Sequence, residues 1–198
     1  SEGQSPTGIT PRLKRLSGLG DQPQGRVSCL HQDRFGFIWI GTRSGLFRFD
    51  GYEFRRFLQD RDDPASLGDN RIRHIMEDDQ GRLWISTSGG GVSCYDPGTD
   101  RFTVYQHDPE NPASLGDNAV ELTYQDRKGN IWVGLRSGLD ILNWGQEEAT
   151  FLHFRHDPNQ DQSLVKGRIT GVAEGPEGKI WASGWRSAGA TPASWARS

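Results

Sequence analysis

The chain has 198 residues, with 23 basic and 26 acidic side chains mixed along its length and a formal net charge of −3. It therefore lacks the sustained positive field that a nucleic-acid backbone requires, and nucleic acid is excluded as the expected partner. No apolar run approaches 18 residues, so no spanning helix and no direct membrane contact are expected of it.

Residues 1–24 hold Pro6, Pro11 and Pro23 among scattered Gly and Ser and read as an N-terminal arm, with residues 13–16 able to add a short strand. The chain opens on Ser1 and not Met, which leads to the expectation that its start lies elsewhere. The stretch 27–30 then begins a unit that recurs at 72–75, 120–123 and 169–172. Each copy reads as the first strand of a unit.

A glycine, one variable residue, an aliphatic and a tryptophan follow: Gly36 to Trp39, Gly81 to Trp84, Gly129 to Trp132 and Gly178 to Trp181. The tryptophans are 45, 48 and 49 residues apart, which marks an array of one supersecondary unit. Asp33, Asp78 and Asp126 each stand three residues before the glycine, where a carboxylate accepts bonds from turn amides while Gly supplies a positive φ. The runs Ile38-Trp39-Ile40, Leu83-Trp84-Ile85 and Ile131-Trp132-Val133 are too continuous for a strand with one wet face and too short for a helix. They predict a second strand buried between layers.

Third strands follow at 45–50, 91–96 and 138–143 and fourth strands at 52–57, 101–105 and 150–154. Four short strands per unit at this period make propeller blades. The predicted fold is all-β, a partial β-propeller of four-stranded antiparallel blades, with three complete blades and a truncated fourth. The divisions are blade one at 25–58, blade two at 59–106, blade three at 107–155, an incomplete blade four at 156–187 with at most two strands, and a disordered tail at 188–198. Between blades a linker phrase repeats at 63–70, 111–118 and 161–167, in which Leu67, Leu115 and Leu164 are expected to pin the crossover. Cys29 and Cys94 fall in different units, and two buried free thiols are expected.

The phrase D-x-x-G-x-[LI]-W-[IV]-[GS]-T-x-x-G-[LV], at residues 78–92 and, with Thr42, at 33–46, resembles the two-component regulator propeller repeat. The third copy departs from it with Leu135 in place of Thr. The resemblance spans about residues 25–185. It implies the sensor ectodomain of a membrane-bound hybrid histidine kinase or diguanylate cyclase, periplasmic, with further blades and a signalling output domain outside this chain. It also implies no enzymatic activity in the chain itself.

Local signatures of chemistry are sparse. The five histidines include no metal-binding helix pair, the Asp60 to Asp63 run lacks the acidic residue that closes a calcium loop, and no nucleophile elbow or phosphate loop occurs. No cofactor and no metal are predicted. The loops after the Trp strands carry Arg43, Arg136 and Arg186 with Trp185 beside the last, and Arg71 and Arg168 precede first strands. In an up-and-down blade these fall at one end of the channel, where guanidinium groups and an indole would suit a small polar molecule or a carboxylated or sulfated glycan fragment. Solvated loop arginines are the alternative for these residues, and a protein-interaction scaffold or a propeller lyase or hydrolase are the alternatives for the function. Uncovered blade faces would also favour a homo-oligomer.

Overall fold

Each Gly-x-aliphatic-Trp stretch becomes the second strand of a four-stranded meander. The computed structural model describes residues 22–23, 25–144, 149–160, 163–164, 166–185 and 194–196, with backbone alone for 185 and 194–196. Sheet one joins β1 (Val27–Gln32), β2 (Ile38–Thr42), β3 (Leu46–Phe49) and β4 (Phe54–Phe57). Sheet two joins β5 (Ile72–Glu77), β6 (Leu83–Thr87), β7 (Val92–Asp96) and β8 (Arg101–Tyr105), and sheet three β9 (Val120–Gln125), β10 (Ile131–Leu135), β11 (Leu139–Trp144) and β12 (Ala149–Phe154). Sheet four has β13 (Arg168–Glu174), β14 (Ile180–Trp185) and β15 (Ser194–Ala196). In every sheet the order is sequential and the pairing antiparallel.

The fourth blade differs from its expectation of at most two strands followed by a disordered tail. Residues 194–196 pair with β14, Ile180 opposite Ala196 and Ala182 opposite Ser194. This pairing occupies an edge of β14 whose backbone groups would otherwise need other partners. The segment proposed as a strand at 13–16 lies outside the described residues.

The turn before the Trp strand explains the glycine in all four blades and the aspartate in the first three, the fourth having Gly175 at that place. Gly36, Gly81, Gly129 and Gly178 have φ of 88°, 84°, 85° and 73°, a region that a Cβ resists. The Oδ1 of Asp33 accepts the amide N–H groups of Phe35 and Phe37 at 3.0 and 2.9 Å, and Asp78 and Asp126 repeat the arrangement. The second oxygen does something the pattern alone did not suggest. It accepts the indole N–H of the tryptophan six residues on, at 2.7 Å for Trp39 and 2.9 Å for Trp84 and Trp132.

The cores lie between blades. Trp39 packs with Leu67, Ile72, Ile75 and Tyr95; Trp84 with Leu115, Val120 and Val133; and Trp132 with Leu164, Ile169 and Ile180. The linker leucines are thus core residues of the next interface. Trp181, in the last described blade, is 38% exposed. Close approach of successive blades is permitted by Gly41, where a Cβ would meet Ile72 Cγ2 at 2.6 Å. The first strands β1, β5, β9 and β13 stand next to one another in that order and form the inner wall of an arc.

Candidate functional site

The inner wall bounds a cavity of about 1180 Å³. Its two ends are chemically different, and the register explains why. In each blade the start of the inner strand lies opposite the end of the Trp strand: Val27 opposite Thr42, Ile72 opposite Thr87, Val120 opposite Leu135, and Arg168 opposite Trp185. Residues just before inner strands and just after Trp strands therefore share one mouth.

Arg43, Arg71, Arg136 and Arg168, four of the six arginine and tryptophan positions selected from the sequence, line this cavity. Only the backbone of Trp185 is described, and Arg186 lies outside the described residues. Arg43 and Arg136 are exposed, and no carboxylate of the described residues is within 4 Å of either guanidinium. Arg71 has Asp69 at 3.7 Å, beyond hydrogen-bond reach. The amide of Ser88 bonds to the Arg71 carbonyl and that of Arg136 to the Ala119 carbonyl, at 3.0 and 3.1 Å, which ties the post-Trp loops to the inner strands.

A second tier lies deeper. Every inner strand carries a β-bulge at the same place, leaving Ser28, Arg73, Glu121 and Thr170 without a cross-strand partner. All four line the cavity. A bulge bends a strand and redirects one side chain, so each blade presents one such residue to the channel. Arg73 donates from Nε to Ser88 Oγ at 2.8 Å. Its Nη1 lies 3.8 Å from Glu121 Oε2, and Arg168 Nε lies 3.4 Å from Glu121 Oε1. Glu121, with 7% of its side chain exposed, thus connects arginines of the blades on either side of it.

The sequence reading missed Arg26, Arg73 and Glu121. For Arg73 and Glu121 the available signal was a polar residue in every copy directly after an aliphatic near the start of the inner strand, at Val27, Ile72, Val120 and Ile169. Six arginines and two glutamates line the cavity, so its field is positive although the chain is acidic overall. His74 adds no charge near neutral pH, because burial, with the nearby His31, holds its imidazole below the ordinary value. Its Nδ1 faces the amide of Thr123 at 3.4 Å.

The opposite mouth is clamped. The amide of Arg34 donates to Glu77 Oε2 at 3.0 Å, that of Asp79 to Gln125 Oε1 at 2.8 Å, and that of Arg127 to Glu174 Oε2 at 2.8 Å. One bond of this kind joins each pair of successive blades. Among the described residues no group of three or more His, Cys, Asp and Glu is placed to hold a metal ion. No described helix is long and apolar enough to cross a membrane.

Residues 21–44 and 66–89 match the model of the two component regulator propeller. Over 55 residues, 28% of this chain and 4% of the relative, the sequence is 34% identical to Histidine kinase P4 of Formosa agariphila. The fold is similar to the extracellular domain of a hybrid two component system from B. thetaiotaomicron, with a TM-score of 0.71 and 26% identity over 80% of this chain and 22% of that one. A second such domain from the same organism gives a TM-score of 0.63 at 21% identity, over 81% of this chain and 20% of that one. Virginiamycin B lyase from Staphylococcus aureus, at 13% identity and a TM-score of 0.55 over 82% of this chain and 50% of that one, shares the fold alone. The chain spans about a fifth of the length of the two ectodomains.

Proposed function

From a chain that carries two-component regulator propeller repeats, we propose a segment of a ligand-sensing ectodomain on the periplasmic side of a membrane-bound signalling protein. The segment binds a small anionic ligand, of the acidic-glycan class, at the arginine-lined mouth of its channel and passes the change to an output domain beyond this chain. It catalyses no reaction itself. The likeness to extracellular domains of hybrid two component systems supports the location and the signalling context.

The observation that carries the ligand class is the placement of Arg43, Arg71, Arg136 and Arg168 on one cavity, with Arg43 and Arg136 exposed and with no described carboxylate within 4 Å of either guanidinium. A guanidinium fork matches a carboxylate or sulfate oxygen pair, and it keeps its charge at any physiological pH. Each charge-assisted bond lost costs about 1.5–3 kcal/mol. Arg136→Ala is therefore expected to weaken an acidic oligosaccharide by about ten-fold or more, while an exposed side chain contributes little to folding.

Calorimetric titration of parent and variant with uronate, sulfated and neutral oligosaccharides tests this, with thermal midpoints measured alongside. Equal affinity of parent and Arg136→Ala for the acidic members, or preference for the neutral ones, would overturn it.

A further inference from the structure

The bulge tier contains an anion of its own. Glu121 is nearly enclosed, and it sits between Arg73 of the preceding blade and Arg168 of the following one. Both contacts are loose. At 3.8 and 3.4 Å they lie outside good hydrogen-bond geometry, and Arg168 Nε has no hydrogen-bond partner among the described residues although that atom is buried. A buried donor in this state gains free energy from any acceptor that reaches it in line. By contrast Arg73 is oriented independently of Glu121, through its bond to Ser88 Oγ.

We infer that Glu121 is a built-in competitor for the arginine site: an oxyanion entering the channel takes Arg168, and then Arg73, from Glu121, exchanging loose ion pairs for aligned ones. The exchange breaks the Glu121 connection through blades two, three and four, so occupancy of the channel and the linkage of those blades exclude one another. This rests on the arginine site of the proposed function but concerns a deeper tier. It also sets specificity. A neutral sugar offers Arg168 only uncharged hydroxyl acceptors, and a single weakly basic oxygen does not displace a carboxylate already in place. The ligand favoured is one that carries a full oxyanion, sulfate or carboxylate.

The test uses inorganic sulfate as the probe and the guanidinium Nε–H signals of the 198-residue chain labelled with nitrogen-15 arginine, with Arg168→Lys to assign the signal. Parent, Glu121→Gln and Glu121→Ala are titrated, and circular dichroism checks that each is folded. Gln keeps the shape and removes the charge. The expected result is a sulfate-dependent shift of the Arg168 signal that saturates at about ten-fold lower concentration in both variants than in the parent. Equal saturation points, or an Arg168 signal that sulfate does not move in any of the three proteins, would overturn the inference. Because the comparison is between variants and uses no oligosaccharide, failure of the acidic glycans to bind would overturn the proposed function and leave this result standing.

Discussion

The carboxylate–indole bond makes a sharp prediction at Asp78. This side chain is buried and receives four bonds: the amides of Gln80 and Arg82 on Oδ1 at 3.0 and 2.9 Å, and Trp84 Nε1 and Arg82 Nε on Oδ2 at 2.9 and 2.7 Å. Asp78→Asn retains the first oxygen and turns an amide donor toward two existing donors. Losing two bonds to a charged acceptor costs about 1.5–3 kcal/mol each. Arg82 is 24% exposed, so its share is reduced by solvent screening, and about 3 kcal/mol is expected in total. With a urea slope of about 2 kcal/mol/M, the denaturation midpoint falls by about 1.5 M. Acid dependence follows with a definite sign. Burial raises the Asp78 carboxyl, but bonds from Trp84 and Arg82 more than reverse this and hold it below the ordinary value, and Asp126 behaves alike through Trp132 and Asn130. A group lowered on folding contributes fully above its unfolded value of about 4 and loses that contribution as pH falls through the folded one. Stability between pH 5 and 2 should therefore fall less in Asp78→Asn than in the parent. Urea titrations at pH 7 and across that acid range decide the matter, and an unchanged midpoint at pH 7 would refute the reasoning.

Trp84→Ala is expected to cost about 3–5 kcal/mol, and Trp181→Ala less than half as much, because Trp84 is fully enclosed and Trp181 is 38% exposed; equal losses in chemical denaturation would contradict the description of the cores as lying between blades. Burial pushes the thiol of Cys94 up to about 12 and that of Cys29 up to about 11, so at pH 8 a disulfide reagent should label neither until the chain is unfolded. Rapid labelling of either in the native protein would overturn that assignment.

The sequence made the scaffold readable because the scaffold is periodic. Gly81, Trp84 and Leu115 recur at fixed distances, and a repeated residue signals a repeated environment. Bonds that cross between repeats left no such trace. The indole bond of Asp78 spans six residues within one repeat, but the spacing does not say which way Oδ2 points. The clamp from the Arg34 amide to Glu77 crosses 43 residues, and its counterpart on Asp79 uses Gln125 in place of a glutamate, so chemical identity is lost while geometry persists. At the mouth, Arg43 and Arg136 could be grouped because they follow Trp strands. Arg73 and Glu121 carried only the weaker signal of a polar residue after Ile72 and Val120, since strand alternation assigns no direction to a residue that leaves the ladder. The third strand of blade four was missed for a different reason: Ser194–Ala196 carries no repeat phrase and is defined by its pairing with β14.

The bulges give the fold a division of labour. Ser28, Arg73, Glu121 and Thr170 each occupy the same structural place, yet they are a hydroxyl, a cation, an anion and a second hydroxyl. None takes part in the apolar clusters between blades. A residue outside both the ladder and the apolar core can change its chemistry without disturbing the strand pairing or the packing between blades. Each blade thereby holds one site where a mutation alters what the channel wall presents and leaves the tryptophan, the aspartate and the linker leucine undisturbed. The positions that set the chemistry of the channel wall and those that set folding are thus separate within the same repeat, and each added blade brings one more position of the first kind.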